Sequence, residues 1–440
     1  MTPNASLSSP QETRPASAAD QQARGRFARL PRLAGRSFIP LGLFARLPLA
    51  MLTVGTLTMV TSVSGSYAAG GTAAGAVGIG SALGAPLLGA LADRRGQRPV
   101  LIASAASNTA AVLALILASV LLGPAGGFHG AILAAALAAG ASSPQVGPLA
   151  RVRWMALTRT GTAADPRDLD TALSYESTAD EVTFVLGPAL VGILASLLAP
   201  WLPLALAAAM TLILVPAFAA HPTHRAVAPR PRPAAAKGSP AGLPPARGDR
   251  IGPAVALPVL AMVCMGTFFG STQAALSSFS AGIAGSEITG LLYAAMGLSS
   301  AAAALSVAYW PRTFSLWWRW ILCAAAMAAF AILLLVPSSL TGMVLVLLVL
   351  GLPVGPVMVT VFAAGGLVAP PGRLGTVMTA LASGIVAGTA LGSAIGGHLA
   401  EDAGHQSAFL VTAAAAAVLA LLGAVSAVVL RRRGSRAVDA

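Results

Sequence analysis

Charge is confined to short bursts along this chain, and between the bursts lie apolar stretches long enough to cross a hydrocarbon layer as helices. A helix needs about 20 residues for that crossing, at about 1.5 Å rise per residue. Twelve such stretches occur, at approximately 40–66, 72–92, 99–122, 127–149, 173–198, 201–219, 252–280, 286–309, 318–337, 341–367, 374–399 and 406–430. With 56% hydrophobic and 9% charged residues, the 440-residue chain has too little polar surface to cover a water-soluble globule. The expected fold class is all-α and integral to a membrane, with lipid bilayer as its solvent. The interval between the sixth and seventh stretches differs in kind. Residues 221–250 are rich in Pro, Ala and Arg and lack an apolar period, so they read as a linker between two six-helix halves, 38–220 and 251–430. Residues 1–37 read as a disordered cytoplasmic tail and 431–440 as a second short tail.

The basic residues test that count, because Lys and Arg collect in the cytoplasmic connections of a membrane protein. The N-terminal tail has six arginines, the second connection Arg94, Arg95 and Arg98, and the fourth Arg151, Arg153, Arg159 and Arg167. The linker, the eighth and tenth connections and the C-terminus hold all the others except Arg46, which lies inside the first span. A miscount by one helix would scatter these charges over both sides. Both termini are therefore expected inside a bacterial-type plasma (inner) membrane.

Several function classes fall away on composition. The net charge of +13 suggests nucleic acid, but no soluble basic face interleaved with aromatics is present, and the arginines are accounted for by topology. Cys264 and Cys323 sit in separate apolar runs and form neither a disulfide framework nor a metal-ligand cluster. No glycine-rich stretch ends in G-K-[ST], so no nucleotide-binding loop and no cofactor or metal is expected. Isolated histidines without an ordered Ser/His/Asp set argue against an enzyme.

Six plus six spans suggest a duplicated transporter whose halves rock about a site at the bilayer midplane. The connection between spans 2 and 3 makes this specific: Gly89, Leu91, Asp93, Arg94, Gly96 and Arg98 stand in the order G-x-L-x-D-R-x-G-x-R, with Gln97 the one soft departure. This resembles the signature loop of the major facilitator superfamily, and the resemblance covers residues 38–430. It implies twelve helices in two pseudo-symmetric six-helix bundles, acting mostly as a monomer. It also implies a conformational latch, in which Asp93 accepts hydrogen bonds from a helix end of the other half while Arg94 and Arg98 pair with acids. The second half lacks this framework at its equivalent loop, so the latch is expected to rest on Asp93.

Span 5 carries Gly187, Pro188 and Gly192, similar in part to the G-P-x-x-G-G element of antiporter-type members. Pro188 would bend the helix and Gly192 would permit close backbone approach. The same helix carries Glu176, Asp180 and Glu181, the first two one turn apart on a shared face. A carboxyl at membrane depth is paired, faces water or carries protons. Glu181, about 13 Å into the span at 1.5 Å per residue, and then Asp180, are the candidate coupling or substrate-facing acids. The alternative is an ion cluster satisfied by Arg151, Arg153 or Arg46. Arg46 either snorkels to the membrane surface or pairs with an acid of span 5. Asn108, Gln145 and Gln273 either reach a central vestibule or bond a neighbouring helix, with Gln273 the preferred substrate contact. Gly384, Gly388, Gly392 and Gly396 form a stripe on span 11 that suits close or sliding packing, and in the resembled family spans 2 and 11 meet across the halves.

The reading that results is a secondary transporter using protons, most simply an exporter of a small amphipathic or drug-like molecule. Proton symport of a sugar or organic acid is the alternative within the class, and a membrane enzyme or receptor the alternative outside it.

Overall fold

The structure, a computed structural model, describes residues 25–122, 130–160, 165–227, 252–283, 288–311 and 313–436. Among them twelve helices are long and apolar enough to cross a membrane: Phe38–Ser64, Ala69–Arg95, Gln97–Leu122, Gly130–Arg159, Arg167–Leu197, Leu202–Ala220, Pro253–Ala281, Thr289–Tyr309, Leu316–Leu335, Leu340–Val368, Leu374–Ala403 and His405–Val429. They are called spans 1 to 12. The face carrying Asp93, Arg94 and the start of span 11 is called the basic face.

Local chemistry sets where the spans begin and end. Ser66, Ser315 and Ser339 each accept a hydrogen bond at a helix start, from the backbone N–H of Ala69, Trp318 and Gly342 respectively. Asp165 does the same for Arg167 at the start of span 5. Between spans 2 and 3 the chain turns on Gly96 at φ +89°, where a side chain would be strained.

Helix pairing repeats between the halves. In the first half, span 1 packs on 5 and 6, span 2 on 4, and span 3 on 4 and 6. In the second, span 7 packs on 11 and 12, span 8 on 10, and span 9 on 10 and 12. Adding six to each number turns one set into the other. The halves meet where span 2 packs on 11 and span 5 on 8, pairings that the same operation exchanges.

Small residues make these approaches possible, though not where the sequence placed them. The stripe of Gly384, Gly388, Gly392 and Gly396 faces span 7 within its own half, where added Cβ atoms would meet the backbone of Val259, Val263, Thr267 and Ser271. It does not face span 2. The expected valine variant at Gly388 parts spans 7 and 11 and lowers the thermal unfolding midpoint in detergent, and an unchanged midpoint would contradict this packing. In span 5 the close approach is at Gly187, against Ala50 of span 1, while a Cβ on Gly192 would meet nothing. Helix 5 runs continuously through Pro188.

Three boundaries differ from expectation. Residues 26–34 are not a disordered tail: Arg26–Arg29 form a 3₁₀ turn and Leu30–Ala34 a short helix, with Leu30 and Ala34 buried. Residues 1–24 lie outside the described residues. Span 4 breaks at Ser143–Pro144, then resumes as helix Val146–Thr160. Arg151 and Arg153 are therefore buried in a helix, not in a connection, because acceptors from spans 3, 5 and 6 surround them. At the other end, the helix of span 12 continues to Arg436. Most of the 221–250 linker lies outside the described residues, apart from a turn at Pro222–Ala226.

Candidate transport site

Two charged assemblies and one unbalanced acid occupy the interior. The first joins spans 1, 4 and 5. Arg46, 5% exposed, donates from Nη2 to Glu176 Oε2 at 2.5 Å and from Nη1 to Asp180 Oδ1 at 2.7 Å, and its Nε donates to the Gly42 carbonyl. Arg151 donates to the second Asp180 oxygen at 2.8 Å, and the Trp154 indole N–H to the second Glu176 oxygen at 2.8 Å. Two cations and two carboxylates thus close a neutral set in which each carboxylate oxygen has a donor. That is the condition under which buried ions are tolerated. Arg46 is buried and paired, and does not snorkel. The face shared by Glu176 and Asp180 is the one that receives it. On its other side the Arg151 guanidinium lies 3.9 Å from the centre of the Phe362 ring in span 10, so this set touches the second half.

Removing Arg46 leaves Glu176 without a cation and Asp180 with Arg151 alone. Breaking a buried pair costs about 3–5 kcal/mol, so Arg46→Ala is expected to lower the unfolding midpoint strongly, read by thermal denaturation in detergent. A wild-type midpoint would mean that the pairing contributes little.

Arg153 is fully buried with no carboxylate partner among the described residues. Its Nε donates to Gln97 Oε1 at 2.8 Å, its Nη1 to the Phe218 carbonyl at 2.8 Å, and its plane lies over the Phe218 ring. This explains the soft position of the loop motif. A cationic side chain at 97 would face Arg153, whereas the amide oxygen of Gln97 accepts from it.

Glu181 stands apart from both sets. It is 8% exposed, accepts from Ser300 Oγ of span 8 at 2.8 Å, and has no cation partner among the described residues. Gly297, one turn before on span 8, leaves room beside its second oxygen. Thr178, one turn nearer the basic face, donates to the Ala301 carbonyl of span 8. Glu181 therefore sits where the halves touch along spans 5 and 8. Further along span 5, at helical spacing, Phe184 is 52% exposed and a Cβ on Gly192 would meet nothing. Across from it Tyr293, one turn from Gly297, stands 6.4 Å from Phe269 of span 7 between ring centres. Gln273 follows Phe269 by one turn and is exposed. Asn108 and Gln145 are buried packing groups: Asn108 donates to the Ala139 carbonyl and Gln145 to the Ser143 carbonyl.

At the basic face the halves are closed. Asp93 accepts three hydrogen bonds from the first turn of span 11: Gly375 N at 2.8 Å, Thr376 N at 2.7 Å and Thr376 Oγ at 2.7 Å. A carboxylate at the N-terminus of a helix meets both unpaired N–H groups and the positive end of the dipole. Gly89, one turn earlier, lies against Gly375 and Thr379, and Ser383 donates to the Ala82 carbonyl. Arg94 and Arg98 are exposed and make no ion pair among the described residues. The acids that begin span 5 are already taken, Asp165 and Asp168 by Arg29. On the span 5 side, Asp170 and Arg319 of span 9 approach to 3.9 Å beside a pocket of about 230 Å³.

Sequence reasoning missed Ser300, Trp154, Phe362 and the pair Gly375–Thr376. None belongs to a motif in the sequence, and only its neighbour in space gives it a role.

Two exchanged six-helix halves, closed at one end and meeting at a buried acid, define a polytopic membrane transporter rather than an enzyme. The chain belongs to the Major Facilitator Superfamily, whose family model matches residues 38–383. No curated protein matches it in sequence. Among solved structures it is similar to the human organic anion transporter TETRAN (MFSD10), at 20% identity and TM-score 0.66, over 90% of this chain and 99% of that one. It is also similar to a bacterial homologue of the iron transporter ferroportin in an outward-facing state, at 14% identity and TM-score 0.65, over 89% and 98%. The E. coli fucose:proton symporter matches at 13% identity and TM-score 0.59, over 89% and 99%. At these identities the likeness is one of fold.

Proposed function

We propose that this transporter exports a small amphipathic or drug-like molecule in exchange for protons, with its basic face in the cytoplasm and Glu181 as the coupling acid. The observation that carries the reading is the imbalance at Glu181. Glu176 and Asp180 already have their cations, whereas Glu181 has only a hydroxyl donor. A carboxyl at membrane depth needs a positive partner, and a proton or a cationic group of the substrate supplies it in turn. Its place at the span 5–8 contact ties that exchange to the separation of the halves. Asp180, neighbouring Glu181 but held by two arginines, is assigned to the ion cluster and not to coupling.

Phe184, Phe269 and Tyr293 supply aromatic rings with one hydroxyl, and Gln273 one amide, a set that suits an amphipathic molecule better than a sugar with many hydroxyl groups. Gly187 and Pro188 on span 5 favour the exchanger direction by their partial likeness to the antiporter element. Asp93, with Gly89 and Gly96, forms the latch that seals the cytoplasmic face. The protein acts as a monomer on this reading. Purified protein in vesicles, loaded with a cationic dye and given a pH gradient, should move dye out as protons move in. Co-directional movement of protons and a sugar or organic acid would replace this reading with symport.

A further inference from the structure

Alternating opening of the two faces requires every bond across the closed basic face to break once per cycle, and Asp93 accounts for only the span 2–11 side. On the span 5–8 side a different element crosses between the halves. The 3₁₀ turn Arg26–Arg29 precedes span 1 and belongs by sequence to the first half. Arg29 pairs with Asp165 at 3.3 Å and Asp168 at 3.2 Å, at the start of span 5. Leu30 and Ala34 are buried in the core and fix the segment in place. Three residues before Arg29 the contacts change halves. Arg26 donates to the Ala308 carbonyl at the end of span 8, and its guanidinium lies 5.0 Å from the centre of the Tyr309 ring. Phe27 approaches the same ring at 6.1 Å between centres.

We propose that residues 26–34 form a second clasp on the basic face, anchored to the first half through Arg29, Leu30 and Ala34 and closing on the second half through Arg26 and Phe27. Three physical features fit that use. The contacts to the second half are few and partly exposed, so each is weak and breaks readily. The anchor is buried, so the released arm stays beside Tyr309 and rebinds as an intramolecular event at high effective concentration. The clasp also lies on the side opposite Asp93, so together the two hold both edges of the seam. Neither holds both edges alone. Arg32, exposed on the same short segment and without an ion pair or ring contact among the described residues, serves as its internal control.

The inference needs alternating opening of the faces but neither the proton nor the direction of export, and its test uses neither. Spin labels at Arg95→Cys and Trp318→Cys, with Cys264 and Cys323 replaced by Ala, report the width of the basic face in vesicles without substrate or gradient. Arg26→Ala with Phe27→Ala is expected to raise the wide population about fivefold, while Arg32→Ala leaves it unchanged. Tyr309→Ala, which touches the clasp from the other half, should give the same rise, and combining it with the first pair should add little. The proposal is overturned by an unchanged width distribution in the clasp variants, by an equal rise in Arg32→Ala, or by full additivity with Tyr309→Ala. Size-exclusion profiles matching wild type establish that the variants compared are folded.

Discussion

Asp93→Asn should leave the protein folded in the membrane and slow transport by about tenfold or more. The carboxylate accepts two backbone N–H groups and one hydroxyl at the start of span 11. An amide keeps one acceptor oxygen, turns an NH₂ group toward those donors, and loses the charge that the helix N-terminus favours. Hydrogen bonds to a charged group contribute about 1.5–3 kcal/mol each. A net loss of about 2 kcal/mol shifts the balance between closed and open basic faces about 30-fold. The substitution touches no other buried group, so insertion and helix content are expected to stay as in wild type, as circular dichroism would read. Flux at the wild-type rate would mean that the seam is held elsewhere. The clasp at residues 26–34 would then be the first place to look.

Glu181→Gln has the other large effect, and of a different kind. The amide matches the carboxyl in shape and can accept from Ser300 as the carboxyl does, so packing between spans 5 and 8 is preserved. It cannot take up or release a proton. Uphill transport driven by a pH gradient is therefore expected to vanish, while downhill exchange of substrate across the membrane persists and no longer responds to pH. Asp180→Asn tests the contrast. It leaves Arg151 and part of Arg46 unpaired, and its main expected consequence is instability. If Asp180→Asn uncoupled a stable protein while Glu181→Gln did not, the two acids would exchange roles.

The architecture was legible in the sequence because hydrophobic length and arginine placement report on the solvent directly, and neither depends on which side chains meet. Twelve spans in two halves follow from those two signals. The Gly89–Arg98 motif pointed to Asp93, although not to Gly375 and Thr376, which are unremarkable until span 11 is brought to span 2. What failed had a common cause. Arg151 and Arg153 were assigned to a connection because charge normally ends a span, but here Asp180, Gln97 and the Phe218 carbonyl accept from them inside the bundle. The glycine stripe of span 11 revealed close packing without revealing its partner, which is span 7. Arg94 and Arg98 were expected to pair with nearby acids, and among the described residues they are exposed and make no ion pair. Residues 26–34 looked like tail because the five residues of Leu30–Ala34 carry too short an apolar pattern to register. Their burial depends on a pocket built by spans far away in sequence.

The most direct measurement is proton movement in vesicles containing wild-type protein and a pH indicator, on addition of a cationic dye to one side. The account predicts that dye leaving through the protein drives protons the opposite way, and that Glu181→Gln abolishes this proton signal. Protons moving together with the transported compound, or an undiminished proton signal in Glu181→Gln, would contradict it.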